Sequence, residues 1–247
     1  MRFAGHQTFS IRDGWLFKGL QLLVNDAQRF DSPRLQDDLG VGKNMAKAIR
    51  HWLRATGLAL AEGRGRRASV EPSVLGELVW KHDPYFLYPG TWWILHASLV
   101  LNPRLAYTWS WFFNRFSQAR FDRPVVVEAL RRQLLAEGGR MPAIRTLERD
   151  VACLLRSYAQ PLPPEENDPE DNLECPMVDL GLLTYSRQSG SYTLLRGPKP
   201  IPFSIFGWLV SRTHGTSDEP ETIDLSLTDL AYEPESPGRV FALSAEA

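Results

Sequence analysis

Apolar positions along the first eighty residues recur at the three- and four-residue spacing of amphipathic helices. Trp15 to Val24 has that period, and Ser32-Pro33 opens a short helix that ends at Gly40. A longer helix follows from Lys43, with Met45, Ile49, Trp52 and Leu53 on one side, and then a glycine-arginine hairpin with GRGRR at its tip. A related order begins at Phe121. Asp122 is placed as an N-cap with Pro124 just inside the helix, and VVVEALRRQLLAEGG ends on glycines. Ala143 to Tyr158 forms the next helix, and LLTYSRQSGSYTLL alternates like a hairpin around Ser189-Gly190. Helix, turn, helix, hairpin, twice over, predicts two winged helix-turn-helix-like units.

Between them, YFLYPGTWWILHASLVLNPRLAYTWSWFFNRF predicts two packed helices joined at Asn102-Pro103. Its tryptophans and phenylalanines suit a buried core rather than a base-stacking platform. His96, inside this pattern, is expected as a hydrogen-bonded core histidine. The fold class is therefore mainly α with small β-hairpins (α+β), two winged-helix-like units around an aromatic-rich helical core. Its divisions are an N-terminal DNA-binding unit over 1–80, the aromatic segment over 81–120, a second unit with an acidic linker over 121–200, and a C-terminal helix and extension over 201–247.

Composition narrows the class. In 247 residues, 43% hydrophobic and 23% charged, there is material for a proper soluble core. Two cysteines far apart, Cys153 and Cys175, exclude a disulfide framework and a cysteine zinc site. The N-terminus MRFAGHQTFS lacks the apolar run of a signal peptide, and WWILHASLVL is too short to span a bilayer, so a cytoplasmic protein is expected.

The net charge of −1 hides an asymmetry. Residues 41–70 carry seven Lys/Arg against Glu62 alone, a local +6, whereas residues 161–180 carry seven acids and no base. That separation favours a polyanion-facing surface at one end of the chain.

The stretch LGVGKNMAKAIRHW, residues 39–52, has two incompatible readings. A Walker loop needs G-x-x-x-x-G-K-[ST], but Asn44 follows Gly42-Lys43, Asp37 stands where the first glycine belongs, and SPRLQDD is no buried strand. The helical reading fares better. Lys43, Lys47, Arg50 and Arg54 fall within about 60° of one another around the helix axis. An apolar face with an outward cationic stripe suits a recognition helix, and Asn44 beside the stripe suits adenine readout. Arg64, Arg66 and Arg67 stand where a wing reaches DNA. The bland alternative is a solvated basic face. In the second unit, Arg145, Arg149 and Arg156 share one side of a helix, but Glu148 and Asp150 interrupt it. There a second DNA contact and intrahelical salt bridges are equally open readings.

Several phrases together resemble one bacterial defence-island family. They are FAGHQTFSIRDGWLFKG, LGVGKNMAKAIRHWLRATGL, RTLERDVACLLRSY, LECPMVDLGLL, YTLLRGPKP and SPGRVFAL, ordered along nearly the whole chain. The family includes SspB, the DNA-nicking component of the Ssp DNA phosphorothioation system. The resemblance implies double-stranded DNA as a partner, sulfur-transfer proteins of the same system as further partners, and single-strand cleavage as the activity. A short natural tail is expected after SPGRVFAL.

Most nucleases cleave DNA through carboxylate-held metal, which makes Mg2+ or Mn2+ the expected cofactor, but no familiar nuclease signature stands in the chain. Two constellations are candidates. GHQTFSIRDGW gathers His6, Thr8, Arg12 and Asp13. There His6 would be a base, Arg12 a phosphate clamp and Asp13 a metal ligand or orienter. The alternative is an N-terminal arm whose polar groups tie it to the first helix. The second gathers Glu170, Asp171, Glu174 and Lys199 as a magnesium site, against the alternative of a solvated linker. Cys175 as a sulfur acceptor lacks the cationic surroundings that activate a thiol. The competing functional reading is a non-catalytic winged-helix adaptor or transcription regulator, for which a homodimer would be in keeping.

Overall fold

The computed structural model describes residues 1–62, 69–139, 141–159, 175–214 and 224–246. It is mostly helical with small antiparallel sheets. An irregular arm, residues 1–14, leads into α1 (Trp15–Asn25). Two short helices follow, α2 (Ala27–Phe30), capped by Asp26, and α3 (Leu35–Leu39). Gly40 ends α3 at φ 63°, a left-handed conformation that a glycine adopts without strain. Next comes α4 (Lys43–Ala55), whose Ile49, Trp52 and Leu53 are buried. Those three side chains contribute roughly 1.5–3 kcal/mol each by leaving water, which locks the helix to α1 and α3.

Strands β1 (Ala59–Glu62) and β2 (Ser69–Pro72) pair antiparallel with Leu60 opposite Glu71. The Arg64, Arg66 and Arg67 tip lies outside the described residues. Then α5 (Val74–His82) begins at Ser73, which accepts the Gly76 N–H.

The aromatic segment forms α6 (Pro89–Val100) and α7 (Tyr107–Arg115), packed on each other and joined through Asn102-Pro103 as the pattern predicts. Strand β3 (Arg120–Phe121) leads to α8 (Arg123–Ala136), with Asp122 accepting the Val125 N–H, and to α9 (Ile144–Tyr158). After the linker come a 3-10 turn, Pro176–Leu180, and strands β4 (Leu183–Ser186) and β5 (Ser191–Leu194). Strand β5 pairs with β4 on one side and with β3 on the other, Phe121 opposite Tyr192. Where one C-terminal helix is expected, the described residues form three, α10 (Phe203–His214), α11 (Leu227–Tyr232) and α12 (Pro237–Val240).

One continuous apolar core runs through these elements apart from α11, and its largest fully buried side chains include Trp52, Trp93, Trp109, Phe112, Phe113, Tyr158 and Phe241. His96 lies wholly buried in it, its Nε2 2.7 Å from the Val240 carbonyl and its Nδ1 2.8 Å from the Tyr158 hydroxyl. The carbonyl can only accept, so Nε2 carries the proton and Nδ1 accepts from Tyr158. This is the core histidine that the sequence predicts, and it ties α6 to α9 and α12. Among the described residues, no helix is long and apolar enough to cross a membrane.

Candidate functional site

The sequence places a cationic stripe on α4, and the structure divides it in two. Lys43, Asn44 and Lys47 are exposed at the N-terminal end, beside the exposed Gly42, whose position at the helix start carries no side-chain cap. The first N–H groups of this helix thus face solvent with two lysines next to them. Positive charge at the positive end of a helix is locally unfavourable, and a bound anion relieves it.

Arg50 and Arg54, further along, are only partly exposed. Arg50 pairs with Asp31 at 2.5 Å, lies over the Phe30 ring and reaches the Phe30 carbonyl. The other oxygen of Asp31 accepts the Val70 N–H of β2 at 2.9 Å. Arg50 is therefore not a free member of an outward stripe. It joins α4 to the end of α2 and to the hairpin, which fixes how the hairpin sits beside the helix.

The candidate constellation in the N-terminal arm does not assemble. His6 is 1% exposed, its Nε2 2.9 Å from Asp150 of α9 and its Nδ1 facing the Thr8 N–H at 3.1 Å. The ring stacks on Trp52 and meets the edge of Trp109. Burial opposes a charged ring, while Cys153 and Asp150 beside it favour one. The Thr8 N–H aimed at Nδ1 opposes a second proton, and the contacts are those of the neutral ring donating from Nε2 to Asp150. Both nitrogens are committed inside the core, so His6 is a structural tie and not a solvent-facing base.

Asp13 is exposed at the start of α1 and accepts the N–H of its neighbour Gly14 at 2.9 Å. Arg12 is buried, its guanidinium 5.4 Å from the centres of both the Phe9 and Trp15 rings, a packing role in place of a free phosphate clamp. Thr8 contributes its carbonyl to Arg156 of α9 at 2.7 Å. The arm thus reads as the alternative weighed for it, polar groups used for attachment, though the attachment reaches α4 and α9 as well as α1.

Asp171, Glu174 and Glu170 lie outside the described residues. Lys199 donates to the Leu195 carbonyl, and burial lowers its pKa. Among the described residues no group of three or more His, Cys, Asp or Glu side chains is placed to hold a metal ion. Cys175 is fully buried, and burial pushes its thiol up to about 12, which removes it as a sulfur acceptor.

On α9, Arg145 and Arg149 are exposed, and no ion pair joins them to Glu148 among the described residues. Arg156 is occupied by the arm.

Sequence reasoning missed two cations. Arg2 of the arm and Arg104 of the α6–α7 turn stand near Arg54, whose proton is disfavoured first by burial and then by Arg2, Arg50 and Arg104. Their partners are distant in sequence, and no local pattern marks them.

The protein-family model described as "Protein of unknown function (DUF4007)" matches residues 3–247. Two solved structures are similar over 99% of this chain and 74% of theirs, each with a TM-score of 0.84. They are a magnesium ion-bound crystal structure of SspB, 26% identical, and a crystal structure of SspB, 27% identical. No curated protein sequence matches the chain.

Proposed function

The chain belongs to the DUF4007 family and is SspB-like along its length, and from that premise we propose that it is the DNA-binding, strand-nicking component of a DNA phosphorothioation system. The observation that carries the proposal is the likeness to SspB across 99% of the chain, at a TM-score of 0.84. The exposed Lys43, Asn44 and Lys47 give that likeness a physical counterpart. In this reading α1, α3 and α4 with β1–β2 act as a winged helix-turn-helix unit. The helix start binds backbone phosphate, and Asn44 reads a base edge. The order β3, α8, α9, β4, β5 makes a second such unit, with Arg145 and Arg149 as its outward cations. Double-stranded DNA and the sulfur-transfer proteins of the same system are the proposed partners. A nicking step would draw on Mg2+ or Mn2+, and no step is assigned to residues described here.

A second reading, a non-catalytic adaptor or regulator, is favoured by one observation: His6, the strongest acid-base candidate in the sequence, is consumed by the core. One experiment separates the two. Purified protein is incubated with supercoiled plasmid in Mg2+, in Mn2+ and with chelator, beside the Lys43→Ala/Lys47→Ala variant. Metal-dependent open circles that the variant fails to form support the nickase. A gel shift without open circles under any metal leaves the adaptor.

A further inference from the structure

The C-terminal end of α4 brings together arginines from three separate segments. Arg54 comes from the helix itself. Arg104 comes from the turn between α6 and α7, which Asn102 ties to the helix end. The Asn102 Nδ2 donates to the Arg54 and Ala55 carbonyls at 3.4 and 3.2 Å, and its Oδ1 accepts the Leu105 N–H. Arg2 comes from the arm, which crosses α4 at Gly5. A Cβ there would stand 2.5 Å from His51 Nδ1 and 3.1 Å from Arg2 Nε, so Gly5 is what lets the arm pass with the Arg2 side chain alongside. His51 beneath is 4% exposed, and its Nδ1 has no hydrogen-bond partner.

The charge in this corner is uncompensated. Among the described residues Asp31 is the one acid that acts on Arg54, and it already holds Arg50 and the Val70 N–H. No carboxylate among the described residues pairs with Arg2, Arg54 or Arg104. Like charges held together by three unrelated backbone attachments are costly unless an anion joins them. Guanidinium groups suit a tetrahedral phosphate, which accepts their forked N–H donors.

We propose that Arg2, Arg54 and Arg104 form a phosphate-binding subsite that holds a backbone phosphate of DNA lying along α4. Arg54 lies seven residues beyond Lys47, about 10 Å along the helix, so this phosphate is a different one from that met by the lysines. The proposal rests on the reading of α4 as a DNA-facing helix. It extends the contact to the arm and to the aromatic segment, neither of which belongs to a helix-turn-helix unit.

The test measures binding of a labelled 20-bp duplex to the full chain from 50 to 300 mM salt. Wild type, Arg2→Ala/Arg104→Ala and Lys43→Ala/Lys47→Ala are compared. The charge-preserving Arg2→Lys/Arg104→Lys variant and thermal melts of each serve as controls for folding. The expected result is a salt slope smaller by about 1.8 in the Arg2/Arg104 alanine variant, from two lost phosphate contacts, and largely restored by lysine. An unchanged slope there, with a reduced slope in the Lys43/Lys47 variant, overturns the subsite and leaves the α4 reading standing. Unchanged slopes in both variants overturn both. A parallel arm adds inorganic phosphate at constant ionic strength. If phosphate raises the wild-type melting temperature, fails to raise that of the alanine variant, and the salt slope does not change, the site takes free phosphate and the DNA assignment falls.

Discussion

His6 and Asp150, 144 positions apart in the chain, meet at 2.9 Å inside the core. The same carboxylate accepts the Ala4 N–H at 2.7 Å and the Thr108 hydroxyl at 3.1 Å, so a single acid on α9 fastens the arm and α7. Trp52 of α4 donates to the Phe9 carbonyl of the arm at 3.1 Å, and Arg156 of α9 donates to that of Thr8. The arm is a strap between α4, which carries the exposed Lys43 and Lys47, and α9, which carries the exposed Arg145 and Arg149.

Removing the anchor leaves buried donors without a partner, which costs more than the hydrogen bonds were worth. Asp150→Ala is expected to lower stability by about 3 kcal/mol, read as a lower denaturant midpoint at an unchanged slope. His6→Gln is expected to destabilise the fold, and under the proposed nickase function any strand nicking per folded molecule stays at the wild-type level. A stable His6→Gln protein with abolished cleavage would restore His6 to chemistry.

The buried histidines set an acid limit. Burial lowers the His96 pKa to about 4, against a favourable hydrogen bond to Val240, and lowers that of His51 to about 3 with help from Arg2 and Arg54. The unfolded chain takes up these protons near pH 6.5 while the folded chain does not. The stabilisation is therefore complete above 6.5 and is lost as pH falls through 4. For His96 it amounts to roughly 3 kcal/mol. Unfolding free energies of wild type and His96→Gln, measured between pH 7.5 and 4.5, should converge towards the acid end. A constant difference across that range would rule out this coupling.

The helices and hairpins were legible where their cause is local. Asp122 caps α8 through a residue three positions on, Gly40 takes the left-handed turn that ends α3, and Gly190 at φ 63° closes the β4–β5 hairpin. Strand β3 was not legible, because two residues become a strand only by pairing with β5, some seventy positions away. The candidate site divides along the same line. Exposure of Lys43 and Lys47 follows from helical periodicity. Polar residues crowded into GHQTFSIRDGW look like a site from nearby sequence alone, yet the partners of His6 and Thr8 are Asp150 and Arg156, and only the tertiary fold reveals them.

Thiol chemistry gives an independent check on the core. Cys153 and Cys175 are both fully buried, and Cys175 is held as an unreactive thiol. Native protein should therefore be inert to an aromatic disulfide reagent over minutes, and both thiols should react once denaturant is added. Rapid labelling of one thiol in the native state would contradict this packing.

The divided α4 surface makes the sharpest prediction, because two kinds of cation on one helix should respond differently. Lys43 and Lys47 touch solvent, so Lys43→Ala/Lys47→Ala should change stability by no more than about 0.5 kcal/mol. The same change should remove about 1.8 from the salt slope of DNA binding. Arg50 holds Asp31, and Asp31 holds β2 through Val70, so Arg50→Ala should lower stability by about 1–2 kcal/mol. Its effect on binding should come through a loosened hairpin, and Asp31→Asn, which keeps the Arg50 side chain and an acceptor for Val70, should reproduce only part of the stability loss. Melting curves and salt titrations on the same three proteins decide the matter. If Arg50→Ala leaves the melting temperature unchanged and lowers the slope as each lysine does, Arg50 is a phosphate contact after all, and its pairing with Asp31 does not persist when DNA is bound.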